Sequence, residues 1–142
     1  MKLEALLFAD VANADGWLLT VERGGWEHIK YDFMPGTAVG YVAGIFTLDD
    51  AELGELTEVA LEIFDDSGQV EGFRASMIAS GNRPNTVAGV PVRLPFAIPF
   101  MTVVRGPTVM KARLLLGDEE LGLIACSVQT TTPDMLPDEF GE

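Results

Sequence analysis

The sequence predicts an all-β chain folded as an antiparallel β-sandwich of eight or nine strands, immunoglobulin-like or C2-like. Three observations carry this expectation. Short apolar runs follow one another with a turn signal about every 8–12 residues, the spacing of a sandwich or barrel. Period-two alternation recurs, as where Trp17, Leu19 and Val21 point one way and Leu18, Thr20 and Glu22 the other. Fifteen glycines and eight prolines are spread along the chain, as turns between many strands require. A single flat sheet would leave too many apolar faces uncovered, so two layers are expected.

The first strand is Lys2–Ala12, with Leu3, Ala5, Leu7, Ala9 and Val11 on one face and Leu6 and Phe8 on the other. Apolar residues on both faces predict a central strand covered from both sides. Asp15-Gly16 between apolar runs marks a hairpin into a second strand, Trp17–Arg23, because tight turns need positive φ and glycine supplies it. A short third strand, Trp26–Tyr31, follows Gly24-Gly25, and Pro35-Gly36 marks the turn into Thr37–Leu48. Residues 50–64 fit a helix capped by Asp50 through Leu53, Leu56, Ala60 and Ile63. Residues 56–64 fit a strand through Thr57, Val59, Leu61 and Ile63. The Asp65–Gly68 turn and the weakening Gly54 favour strand, which is expected over 56–64, with room for one helical turn before it.

Val70–Met77 reads as the next strand, and residues 79–89 as a polar loop. Over 90–100, Val90, Val92, Leu94, Phe96, Ile98 and Phe100 take every even position and Pro91, Pro95 and Pro99 fall on odd ones. Three missing donors along one side predict an edge strand with its even face in the core. Thr108–Leu116, a turn at Gly117–Glu120 and Leu121–Gln129 complete the count. The domain expected is therefore 1–129, followed by an acidic, proline-interrupted tail over 130–142.

These elements resemble those of an uncharacterised bacterial family of small β-sandwich proteins, a domain-of-unknown-function group. The likeness rests on Ala9-Asp10, the Asp15-Gly16 turn, Gly24-Gly25-Trp26, the Asp65–Gln69 turn, the proline-punctuated strand and the pair of strands ending near Val128. It spans about residues 3–128. Where that family places an aromatic after the glycine of its late turn, this chain has Pro107-Thr108. The resemblance implies a sandwich and a strand over 56–64, and it implies no activity.

Composition narrows function by exclusion. The 142 residues carry 9 Lys and Arg against 22 Asp and Glu, a net charge of -13, and no basic stripe. Such a surface repels phosphate backbones and anionic lipid, so nucleic acid and membrane are not expected partners. The apolar run near 94–104 is about half the length a bilayer needs, and Glu4 and Asp10 interrupt the N-terminal run, which reads as too short for a signal peptide. With one cysteine and no disulfide framework, a cytoplasmic protein is expected.

His28 is the only histidine and Cys126 the only cysteine, so zinc, which needs several such ligands, is not expected. Cys126 lies in an apolar strand and reads as a buried, inert thiol, and His28 as a structural residue beside Trp26. No nucleophile elbow or phosphate loop is present, and the chain is read as non-catalytic, with no cofactor.

Calcium has weak candidates in Asp49, Asp50, Asp65 and Asp66, together with Glu52, Asn13 and Asp15, because sandwich loops can gather oxygen ligands at one end. Hairpin turns, however, use the same residues for conformational reasons. For partner contact the candidates are Phe33 and Met34, apolar in a Pro-Gly loop, and Asn82, Arg83 and Asn85 in the polar loop. The function expected is a protein-interaction or structural subunit, such as a part of a larger bacterial or phage assembly, contacting another protein or itself. The alternative is a calcium- or small-ligand-binding module that uses loops at one end.

Overall fold

The structure, a computed structural model, describes residues 1–49, 52, 56–80 and 89–131. Through them run β1 (Lys2–Asp15), β2 (Leu18–Gly24), β3 (His28–Tyr31), β4 (Gly36–Leu48), β5 (Leu56–Phe64), β6 (Phe73–Ser80), β7 (Val92–Val104), β8 (Thr108–Leu116) and β9 (Glu119–Thr130). They make two sheets, ordered β2-β1-β4-β7 and β3-β9-β8-β5-β6. All neighbours are antiparallel except β3, which joins β9 in parallel. This is the expected all-β sandwich.

Alternation decides which residues lie between the sheets. Phe8, Val42, Phe46, Phe96 and Phe100 come from the four-stranded sheet, and they meet Val59, Leu61, Ile63, Met110 and Leu114 from the five-stranded one. Residues 56–64 form β5, with Val59, Leu61 and Ile63 buried, so the period of two prevails over the helical spacing. Among the described residues β7 pairs with β4 and otherwise only bridges to Val70 through Val104, and its even positions Val92, Phe96, Ile98 and Phe100 are buried. Pro95 and Pro99 share the parity whose N–H groups point to the free side, as an edge strand requires.

Several boundaries differ from the sequence reading. β1 runs on to Asp15, β3 starts at His28, β7 spans Val92–Val104 and β9 starts at Glu119. Three further differences have a visible cause. In the first hairpin Asp15 pairs with Leu18, so the turn residues are Gly16 and Trp17 and the second strand starts one residue later. Gly16 has φ +61 at the first central position, where a type II′ turn needs it. β6 begins at Phe73 because Val70 is spent on an isolated bridge to Val104 and Gly72 turns the chain at φ +104. Thr130, read as the start of the tail, instead closes β9 opposite Tyr31, and Thr131 donates its N–H to the Tyr31 carbonyl at 3.0 Å. Residues 132–142 lie outside the described residues.

Trp26 closes the side of the sandwich where the chain crosses from β2 to β3. Its ring stacks on Phe8 with centroids 5.6 Å apart and meets the edge of Phe100 at 6.2 Å. The indole N–H donates to Asp10 Oδ1 and to the Arg23 carbonyl, each at 3.0 Å. Arg23, at φ +51, is the one non-glycine residue with positive φ among those described.

Candidate interaction surface

The outward face of the β2-β1-β4-β7 sheet is built by the same alternation that fills the core. In β4 the even residues Ala38, Val42 and Phe46 turn inward, so Val39, Tyr41, Ala43 and Ile45 turn outward. Register then assembles rows across the sheet. Ala5, Ile45 and Pro95 form one row, Leu7, Ala43 and Ala97 the next, and Ala9, Tyr41 and Pro99 a third, with Val39 beside Met101 at the end. Ala9, Ala12 and Ala43 are buried beneath Leu7, Leu19, Val21, Tyr41 and Ala97. Val39 is 61% and Met101 64% exposed. Among the described residues no strand lies over this face.

Charge enters it at one end, where Lys2 lies opposite Thr47 and Glu4 is paired. A bulge between Leu3 and Ala5 brings Glu4 beside Thr47 and Arg93. Arg93 Nε donates to Glu4 Oε1 at 3.0 Å and Oε2 at 2.9 Å, and the Thr47 hydroxyl donates to Oε2 at 2.7 Å. The hydrogen bonds from Thr47 and Arg93 hold the Glu4 carboxyl below the usual carboxylate range.

The outward face of the other sheet mixes ion pairs with the exposed apolar side chains of Leu56, Ile78, Val109 and Leu123. Glu62 receives Arg113 Nε at 2.8 Å and also pairs with Arg74, while the Arg113 guanidinium lies 4.6 Å from the centre of the Phe64 ring. Lys111 Nζ is 2.7 Å from Asp66 Oδ2. His28 and Lys30 are exposed at the end of this face.

Along one side of the sandwich an apolar groove of about 260 Å³ runs between β6 and β7, lined by Phe46, Met77, Ile78, Leu94, Pro95 and Phe96 among others. Ligand pockets for drug-sized molecules start near ~300 Å³ and are mostly enclosed, so this groove is small for one.

The structure divides the predicted contact residues. Phe33 is 77% exposed, whereas its neighbour Met34 is half-buried and packs on the core. Asn82, Arg83 and Asn85 lie outside the described residues.

The acidic candidates do not come together. The Asp65 carboxylate accepts from Thr108 Oγ1 at 2.7 Å, from Ser67 Oγ and Gln69 N at 2.9 Å, and from Val70 N at 3.1 Å. Burial alone would raise its pKa, but these hydrogen bonds outweigh that and lower it to about 2. Its job is to shape the turn after β5. Asp49 sits before β5, where its N–H donates to Glu52 Oε1 at 3.1 Å, so the nine residues of β5, roughly 30 Å of strand, separate it from Asp65 and Asp66. Asp50 lies outside the described residues. Among those described, no three His, Cys, Asp or Glu side chains gather as a metal site.

The sequence reading missed the outward face. It took β1 as covered on both sides, and the structure places β1 centrally in its sheet with its second face against no other strand among the described residues. The signal was present in 94–104, where Pro95, Ala97, Pro99 and Met101 make the odd positions as apolar as the even ones. Among the described residues no helix is long and apolar enough to cross a membrane. Comparisons with protein-family models, with curated proteins and with solved structures find no match to this chain.

Proposed function

We propose that this chain is a non-catalytic β-sandwich subunit that works by protein–protein contact, as an interaction or structural component of a larger assembly. The observation that carries the reading is the outer face of β1, β4 and β7, where Val39, Tyr41, Ala97 and Met101 lie side by side and the charged groups keep to one end. On the other sheet the exposed Leu56, Ile78, Val109 and Leu123 are interleaved with the ion pairs of Glu62, Arg74 and Arg113. A contiguous apolar sheet face that stays in water gains free energy when another surface covers it. Tyr and Met are also residue types enriched where proteins meet.

The chain's two soft nucleophile candidates support the same reading. Cys126 is buried, and burial pushes its thiol up to about 11, which keeps it protonated at neutral pH. His28, opposite Ser127 in the β3–β9 ladder, is exposed on the outer face of that sheet, while Cys126 turns to the core.

The test is affinity capture from the lysate of the protein's own host with three baits: wild type, Val39→Glu/Met101→Glu and Phe33→Ser. The expected result is a stoichiometric partner that the double variant loses and the Phe33 variant keeps. A partner retained by the double variant sinks the face as the docking site. Loss only with Phe33→Ser moves it to the loop between β3 and β4.

A further inference from the structure

We infer that the partner of the apolar outer face is a second copy of this chain, the two copies packing sheet on sheet about a two-fold axis. The inference rests on the interaction-subunit reading above and names its partner.

Charge is the first argument. Each copy carries a net charge of -13, so two copies repel as they approach. A two-fold contact sets the same patch against itself, and it is tolerable only where unpaired acids do not face one another. In the outward rows of β1, β4 and β7 the acidic group is Glu4, and Arg93 already pairs with it. A basic partner would be drawn to the acidic rims, whereas this face, whose charges among the described residues are Lys2, Glu4 and Arg93 at one end, presents no unpaired acid to a copy of itself.

Size is the second argument. Three strands spaced ~4.8 Å apart and four rows ~6.7 Å apart cover about 14 by 27 Å, and with Leu19 and Val21 of β2 beside them the face is on the order of 450 Å². Two copies together then bury roughly 900 Å², just under the ~1,000 Å² lower bound for a stable specific interface, which predicts a weak, reversible dimer that forms as concentration rises.

Shape is the third. Twisted sheets stack face to face with strands aligned to within about 30°, the packing that builds a sandwich interior. Leu7 and Tyr41 cover Ala9 and Ala43 and lie half-buried themselves, while Val39 and Met101 stand out at the end of the face. A copy of the same surface can interdigitate with such relief.

Sedimentation equilibrium on the purified chain tests this across a concentration series at low and high salt. The wild-type mass is expected to rise from one chain to two, and at lower concentration in high salt, because screening weakens the repulsion. Val39→Glu/Met101→Glu is expected to stay at one chain, with its melting temperature in dilute solution unchanged, since both side chains are exposed. A wild type that remains a single chain at every concentration and salt overturns the dimer. So does a double variant that associates as the wild type does. Ile78→Lys on the free edge of β6 separates the other geometry: a dimer lost there and kept in the double variant joins strand edges and refutes the stacked faces. The reading beneath fails separately, because a single-chain wild type that still captures a partner through Val39 and Met101 refutes the second copy and leaves the docking face standing.

Discussion

The Cβ that an alanine at position 40 would carry lies 2.6 Å from Cη2 of Trp26 and 2.7 Å from the Ala9 carbonyl oxygen. Trp26 seals the side of the sandwich only because β4 is bare at that point. The ring cannot yield, since Phe8 stacks on it and Phe100 meets it edge-on, and the Ala9 oxygen belongs to the neighbouring strand. Gly40→Ala is therefore expected to destabilise by about 2–3 kcal/mol, in the range of overpacked cores. Urea unfolding measures it, and a loss below about 0.5 kcal/mol would mean that Trp26 does not hold this position in solution.

Asp65 gives a pH signature. Its carboxyl is lowered to about 2 in the fold, against ~3.9 in an unfolded chain. A depressed carboxylate contributes stability that is present above the unfolded pKa and lost as pH falls through the folded one. Asp65→Asn is expected to cost about 1–2 kcal/mol near neutral pH, and the gap to wild type is expected to close between about pH 4 and pH 2. Comparing the two melting curves point by point removes the effect of the other carboxylates. A gap that is constant with pH would show that the ionised carboxylate is not what holds the turn.

What the sequence made legible follows from what its pattern can encode. Val59, Leu61 and Ile63 alternate with Glu58 and Glu62, so polarity marks the inner face of β5 and the strand could be read despite its helical spacing. In β1, β4 and β7 both parities are apolar, and an apolar outer face has the same pattern as one covered by a third layer. Periodicity states which side differs, and here neither does. The one-residue shift of the first hairpin has a similar cause, because Asp15-Gly16 and Gly16-Trp17 each place a glycine where φ can be positive.

Phe33 and Met34 are neighbours that the sequence treats alike and the fold does not. Phe33→Ser is expected to change stability by less than about 0.5 kcal/mol, as at other exposed sites. Met34→Ser removes a side chain packed on the core and is expected to cost about 1–2 kcal/mol. Denaturant midpoints of the two single variants check this. Equal losses would mean that the phenylalanine is also packed, and would withdraw it as a free contact residue.

The last prediction concerns the free edge of β7. Pro99 faces Tyr41 across the ladder and is exposed, and with Pro95 it removes donors from the side that no strand occupies. Residues 69–71 occupy the end of that edge at Val103–Arg105, and the rest, with all its donors, would be a template for another strand, which proline is one of the devices to prevent. Pro99→Thr restores one N–H to that edge without disturbing the ladder to β4. Its melting temperature is expected to stay within a few degrees of wild type, while aggregation at an elevated temperature below melting is expected to quicken severalfold. Light scattering during incubation follows it. Unchanged aggregation with an intact fold would mean that the edge is protected by something other than its prolines.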